Sequence, residues 1–512
     1  MEDNGSASSP SDIDAAHLGQ ESGQDVSDVA RMFDGRSVFI TGASGFIGRV
    51  LMEKLLRCYS GIRRVYILMR AKKGESPEKR LHQVLDVPLF DRVRSMESPK
   101  NLLDKIVVIP GDIGESQLGI SEENMQMMMG DETLSIVFHV AATVRFDEPL
   151  KKSVIYNLTA TRTVIEFCRK LKNLVSFCHV STAYANSQFS GDVKIEEKLY
   201  PINLTPQQVI CVAEQLDVDS MQQLKLHLIG GRPNTYTYTK ALAEHLIATE
   251  AIDLPVAIVR PGCVSASWKE PMPGWVDNIN GSTGILVAFM KGLLRTMLIT
   301  PDCKVDLIPV DITVNMLIAA TYYVAKINNR FCNPNNDAEI EADANNITER
   351  TIKKCSLIKT RGGLCPEKHP PIFHANSGDL NPLCWAEMRG NTCPPIYKYP
   401  TVDAYRYPGG EFKSNKYHDL LMRLLVHYLP ALISDGILTI MGKKRCMLWV
   451  YRRLHSSIKA LDYFMNHNYN FQTKNRKLLQ DTLNDYDRKE LFMDIENLDW
   501  QDYFEDYVLG IR

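Results

Sequence analysis

No Cys-x-x-Cys pair occurs in this sequence and no histidine cluster stands at zinc-ligand spacing, although twelve cysteines are present. They lie apart, at positions 58, 168, 178, 211, 263, 303, 332, 355, 365, 384, 393 and 446, so neither a metal site nor a disulfide framework is expected. Reduced core cysteines of a cytosol-facing protein are the simpler reading. An excess of one charge is absent too: 59 Lys and Arg face 61 Asp and Glu, a formal net charge of −2. That balance offers no global attraction to a polyanion, so no nucleic-acid partner is expected. A signal peptide is also lacking. Residues 1–30 hold seven acids, no Lys or Arg and no apolar run, which argues against secretion.

What is present is an ordinary globular composition over 512 residues, 45% hydrophobic and 23% charged, enough to bury a large core. Residues 1–33, rich in Ser, Asp, Gly and Gln, read as a disordered acidic tail. Order is expected from Ser37. There, apolar β-branched runs at 37–41, 64–69, 106–110, 135–140, 174–180 and 256–259 alternate with amphipathic stretches. Continuous apolar strands separated by helical patterns imply a parallel sheet covered on both faces, an α/β doubly wound fold. A polar stretch at 331–370, with repeated Asn and Asp, reads as a surface insertion. After Pro400 strand signals vanish, which suggests a helical C-terminal domain over 401–512 behind a nucleotide- and substrate-binding part over 34–400.

The strongest motif is TGASGFIGRVL, 41–51, directly after the first expected strand. Gly42, Gly45 and Gly48 let the backbone turn tightly and approach a pyrophosphate. The helix opening at Phe46 and Ile47 offers free N–H groups and the positive end of its dipole. After the second strand stands Arg70, followed by Lys72 and Lys73, where a carboxylate would suit the ribose of NAD. Positive charge there suits a 2′-phosphate and favours NADPH. Asp112 and Ile113 follow the third strand on the adenine side; Ala141 and Ala142 follow the fourth, where small residues admit the nicotinamide ribose.

The second motif is NTYTYTKALAEHL, 234–246. Tyr236 and Lys240 are four apart and share one helical face, where the ammonium can lower the phenol's pKa. Tyr238 points the other way. A hydroxyl at the end of the preceding strand completes the set, either Thr182, the first choice, or Ser181; His179 is expected to point into the sheet.

Together these residues resemble the extended short-chain dehydrogenase/reductase superfamily and, within it, the alcohol-forming fatty acyl-CoA reductases. The likeness rests on TGASGFIGRVLMEKLLR at 41–57, VFHVAATVRFDEPL at 137–150, HVSTAYAN at 179–186 and RPNTYTYTKALAEHL at 232–246. It continues through VRPGCVSASWKEPMPGWVDNINGSTG at 259–284, VDLIPVDITVN at 305–315 and NLDWQDYFEDYVLGIR at 497–512. The resemblance implies an extended Rossmann domain with a substrate-binding lobe, and NADPH-dependent reduction of a long-chain acyl-CoA to the primary alcohol. It further implies Thr182, Tyr236 and Lys240 as catalytic residues, Pro261 and Val264 on the nicotinamide side, and Asn157 positioning Lys240 through water. Another lipid-carbonyl reductase, such as one acting on a sterol, or a silent NADP-binding scaffold at a membrane are the competing readings.

For a greasy substrate the stretch 424–442 is informative. Asp435 near its middle costs about 2.5–3.5 kcal/mol in a bilayer, and Pro430 is expected to break the helix. An interfacial hairpin with a basic-aromatic rim (Lys443, Lys444, Arg445, Trp449) fits better than a clean span. A buried helix pair walling the acyl pocket is the alternative. Expected partners are thus the acyl-CoA and an intracellular, cytosol-facing membrane of peroxisome or endoplasmic reticulum, with room left for a homodimer.

Overall fold

The computed structural model describes residues 26–71, 74–96, 99–328 and 369–512. The expected tail over 1–25, Lys72 and Lys73, and nearly all of the expected insertion lie outside the described residues.

Seven parallel strands form the central sheet: β1 Ser37–Thr41, β2 Arg64–Met69, β3 Ile106–Pro110, β4 Leu134–His139, β5 Ser176–Val180, β6 Val256–Pro261 and β7 Ile372–Ala375. Their order is β7-β6-β5-β4-β1-β2-β3. Along β1 the side chains alternate between two cores: Val38 and Ile40 pack into one, Phe39 into the other. Both faces are therefore buried, which is why the strands read as unbroken apolar runs. Helices α2 Phe46–Cys58 and α5 Val310–Ile327 cover one face. The other carries α3, a helix over 150–170, and α4 Thr235–Glu250. The sheet reverses direction of growth between β1 and β4, the kind of switch point beyond whose C-terminal strand ends doubly wound sheets take their ligands.

Three expectations need correction. Order begins before Ser37: helix α1, Asp28–Phe33, buries Val29, Met32 and Phe33, and Phe33 stacks on Tyr59 at 4.8 Å. The Asp487 carboxylate holds its start, accepting from Ser27 Oγ (2.5 Å) and the amides of Asp28 (2.9 Å) and Val29 (3.2 Å). Three apolar residues at helical spacing were diluted by the polar composition around them. Strands do not vanish after Pro400 either: Glu411–Lys413 pairs with Thr296–Leu298, and Asn470–Phe471 with Lys194–Ile195. Finally, Pro430 does not break its helix. Helix α6, Lys416–Ile440, runs through it because the turn Leu424–Tyr428 widens into a π-turn that relieves the proline's missing donor and ring clash.

The C-terminal part has two characters. Helix α6 and helix α7, Met447–Met465, form an antiparallel hairpin whose first arm exposes most of its apolar residues. Residues after it return to the core. Helix α8, Trp500–Ile511, buries Tyr503, Phe504 and Tyr507; Tyr503 meets Ser265 Oγ at 2.7 Å and Tyr507 meets Thr283 Oγ1 at 2.6 Å.

Candidate active site

The turn from β1 into α2 is sterically committed. Gly42 adopts φ +80°, and a Cβ on it would lie 2.6 Å from the Ala141 nitrogen. A Cβ at Gly48 would lie 2.2 Å from the Gly42 carbonyl oxygen. Only glycine lets α2 start so close to its strand while the loop after β4 presses from the other side. Gly45 caps α2 without a side-chain acceptor, so among the described residues the first-turn amides of Phe46, Ile47 and Gly48 have no helical partner. Free donors at a helix N-terminus beside a glycine cradle fit a dinucleotide pyrophosphate. Ala141, packed against the Gly42 turn, and Ala142 are both half-buried.

At the far edge Arg70, 57% exposed, faces Asp112 at 3.6 Å. Asp112 also accepts from the Gly114 amide at 2.9 Å, with Ile113 half-buried between them. Arg80 donates to the Arg70 carbonyl, and its pKa is lowered by burial first and then by the positive charges of Arg70 and Arg49. Three guanidiniums therefore converge where the sequence singled out one. Arg49 is itself anchored by the Ser44 carbonyl (3.1 Å) and Asp277 (2.7 Å).

Helix α4 starts at Asn234, whose side chain accepts from the Thr237 amide at 2.9 Å. Two turns carry Tyr236 and Lys240 towards the end of β5. Lys240 is fully enclosed, donates to the Val180 carbonyl at 2.6 Å, and is pushed down to about 8 by burial against the opposing pull of Glu244. Burial pushes the Tyr236 phenol up to about 12, opposed by a hydrogen bond with the Thr182 side chain. The expected lowering by Lys240 is thus not what acts on the phenol here: Thr182 opposes the rise, and burial outweighs it. Thr182 Oγ1 also reaches the Pro261 carbonyl at 3.4 Å and accepts from the Tyr184 amide at 3.3 Å.

The two hydroxyls left open by sequence now separate. Ser181 donates to Glu244 at 2.5 Å, and Glu244 pairs with the fully buried Arg260 at 2.7 Å, so Ser181 belongs to a closed ionic network. Thr182 lies beside Tyr236. His179 stands inside the sheet with its ring 5.2 Å from His139, held well below its ordinary pKa by burial and by the Lys240 charge. Tyr238 is core. Asn157 sits in a π-turn, Ile155–Thr159, where its carboxamide joins the Thr143 backbone (2.9 and 3.1 Å) to the Thr239 hydroxyl (3.0 Å). Pro261 closes β6, and Val264 lies in Cys263–Ser265, paired with Leu307–Pro309.

Sequence reasoning missed Glu244 and Arg260, although Glu244 is one turn beyond Lys240 and Arg260 is a lone charge in an apolar strand. It also missed Phe146, whose ring lies 5.8 Å from Tyr236, and Phe464, 5.3 Å from Phe146. Nothing local marks Phe464, which arrives from a distant helix.

Comparison with known proteins agrees with this geometry. An NAD-binding family model described as "Male sterility protein" matches residues 40–317, and a second model of the same description matches 426–512. Fatty acyl-CoA reductase 2 of Mus musculus is 36% identical over 484 residues, 94% of this chain and 85% of that protein. Fatty acyl-CoA reductase 1 of Homo sapiens is 35% identical over 486 residues, with 94% and 85% covered. Among solved structures, the terminal R domain of the myxalamid pathway superposes with a TM-score of 0.54 at 18% identity, covering 93% of this chain and 90% of that one. The reductase domain of a Mycobacterium tuberculosis non-ribosomal peptide synthetase gives 0.52 at 17%, covering 93% and 91%. At that identity these two establish the fold alone. The chain belongs to the fatty acyl-CoA reductase family, oxidoreductases on an extended short-chain dehydrogenase/reductase scaffold that binds a nicotinamide cofactor.

Proposed function

We propose that this chain reduces a long-chain fatty acyl-CoA to the primary alcohol with NADPH, releasing coenzyme A and passing through an aldehyde, at a membrane surface. The observation that carries the reading is the convergence of Thr182, Tyr236 and Lys240 at the end of β5, two strands from the glycine turn at the end of β1. Gly42, Gly45, Phe46, Ile47 and Gly48 would hold the pyrophosphate. Arg70, with Arg80 behind it, would hold the 2′-phosphate, Asp112 and Ile113 the adenine, and Ala141, Ala142, Pro261 and Val264 the nicotinamide side. NADPH, when bound, supplies one hydride in each reduction.

The protein's part is to manage the oxygen. As the thioester carbonyl gains electron density, the Thr182 and Tyr236 hydroxyls donate hydrogen bonds to it, two oriented donors in a low-dielectric site. A phenol raised to about 12 keeps its proton until that oxygen is basic enough to take it. Lys240, held on the Val180 carbonyl one turn along α4, would supply a positive charge on the same helical flank as the phenolate left behind. Collapse of the tetrahedral adduct breaks the carbon–sulfur bond, expels coenzyme A as its thiolate and returns the adduct's hydroxyl proton to the Tyr236 phenolate. The aldehyde presents its oxygen to the same two hydroxyls for the second reduction. Glu244 and Arg260 hold Ser181 and the base of α4 fixed.

Membrane association is supported by the outward Leu421, Leu425, Leu429, Leu432, Ile433 and Ile437 of α6, an apolar stripe of the kind that lies in a lipid interface, next to Lys443, Lys444, Arg445 and Trp449. A cytosol-facing surface of peroxisome or endoplasmic reticulum suits such a hairpin.

Purified protein given palmitoyl- or stearoyl-CoA should oxidise NADPH and yield the alcohol and free coenzyme A by mass spectrometry. Arg70→Asp should move the preference from NADPH towards NADH. No alcohol from either substrate would overturn the reading, and an unchanged coenzyme ratio would remove Arg70 from the phosphate site.

A further inference from the structure

Helix α7 connects two places of opposite character. It begins at the exposed tip of the hairpin near Trp449 and, after 19 residues, roughly 28 Å along its axis, ends at the reaction centre. Its penultimate residue, Phe464, lies 5.3 Å from the Phe146 ring and edge-on to Tyr184 at 5.1 Å. Phe146 is in turn 5.8 Å from Tyr236, and the Tyr184 amide donates to the Thr182 hydroxyl. Phe464 therefore touches both the ring beside Tyr236 and the ring of the residue whose amide holds Thr182.

These rings are not closed core. Phe146 and Phe464 keep part of their surface uncovered, whereas core rings such as Phe39 and Phe177 are fully buried. Apolar surface left open beside two polar hydroxyls fits a ligand that is polar at one atom and greasy immediately next to it. The end of α7 is held without Phe464: Tyr463 donates to the Ser187 carbonyl at 3.3 Å and stacks on His467 at 4.2 Å. Phe464 can thus change without releasing the hairpin.

We infer that Phe464, supplied by the hairpin's second helix, forms with Phe146 the wall against which the first methylenes of the acyl group pack, and so determines specificity for chains unbranched next to the carbonyl. The inference rests on the acyl-CoA reading above. A wall of two rings inclined at 46° to each other rewards a straight chain and rejects a methyl branch at the second carbon; an alanine opens that space.

The test compares palmitoyl-CoA with 2-methylpalmitoyl-CoA in the full-length protein, in Phe464→Ala and in Phe464→Leu, with NADPH affinity measured by fluorescence. Phe464→Ala should lower kcat/KM for palmitoyl-CoA about 10-fold, the scale of one lost hydrophobic contact, and shift the straight-to-branched ratio towards the branched substrate by a similar factor. NADPH affinity should stay within about 2-fold, and Phe464→Leu should recover most of the straight-chain preference. A general structural defect would lower both substrates equally. An unchanged ratio, in a protein whose unsubstituted form turns over palmitoyl-CoA, would overturn the inference; no turnover by the unsubstituted form would overturn the acyl-CoA reading beneath it.

Discussion

Helices α5 and α6 are both long and apolar enough to cross a bilayer, yet α5 is 83% buried within the protein and α6 only 17%. Apolar length therefore does not separate a core helix from one that turns its apolar residues outward; the placement of the polar groups does. In α5 they face inward and bond to neighbouring loops. Asp311 accepts from the amides of Trp268, Lys269 and Glu270 at 3.0, 2.7 and 3.1 Å, and Asn315 donates to the Phe492 carbonyl at 2.9 Å. In α6 the buried residues form a single seam, Asp419, His427, Ala431 and Asp435, and three of the four are polar. Asp419 accepts from Thr296 (3.0 Å), His427 accepts from the Arg295 amide (2.9 Å), and Asp435 accepts from the amides of Cys446, Met447 and Leu448, starting α7. Helix α6 is an amphipathic helix turned inside out, polar seam inward and leucines outward, the arrangement that the proposed lipid interface requires. The charge that argued against a membrane span is a cap.

The largest effect that could break this comparison is an acid placed on each helix. Leu317→Asp in α5 buries an unpaired carboxylate and should cost more than about 4 kcal/mol, seen as loss of the cooperative denaturant transition. Leu432→Asp in α6 should stay within about 0.5 kcal/mol, because the site is already exposed, and should instead weaken binding to phospholipid vesicles. Equal destabilisation by both would contradict the assignment of α6 to the surface.

A smaller effect concerns α4, where the charge that the proposed mechanism uses is buried. Burial lowers Lys240 from 10.5 to about 8, so the unfolded chain holds this proton more tightly than the folded one. This group's contribution to stability should rise with pH between about 8 and 10.5, and its full cost, on the order of 3 kcal/mol, applies below pH 8. Lys240→Met should therefore raise the denaturation midpoint at pH 7 while abolishing turnover. Activity of the unsubstituted protein should fall above about pH 8, well before Tyr236 titrates at about 12. A midpoint lowered by Lys240→Met would contradict the burial argument.

The smallest effect is local. Asp435→Ala should speed amide exchange at residues 446–448 and leave the protection of β1 and β4 unchanged. Exchange spreading into the sheet would mean that the hairpin and the body unfold together.

The parts legible in the sequence are those written locally. Six of the seven strands read as apolar runs because both faces are covered, and the glycine turn and the Tyr236–Lys240 pair each lie within a few residues of chain. What escaped was either too short or too distant. Strand β7 has four residues, too few to show a period, and α1 has six inside a polar context. Phe464 and the Arg295 and Thr296 partners of α6 are set by where a helix lands, more than a hundred residues from what it touches. The inverted seam was present as a four-residue spacing, but the hydropathy of its neighbours concealed it.

Turnover of palmitoyl-CoA with NADPH by Tyr236→Phe, measured beside NADPH affinity, addresses the chemistry most directly. Removing one hydroxyl that both donates a hydrogen bond and delivers a proton should lower kcat by about 100-fold or more while coenzyme affinity holds. A variant that makes alcohol at the unsubstituted rate would contradict the account.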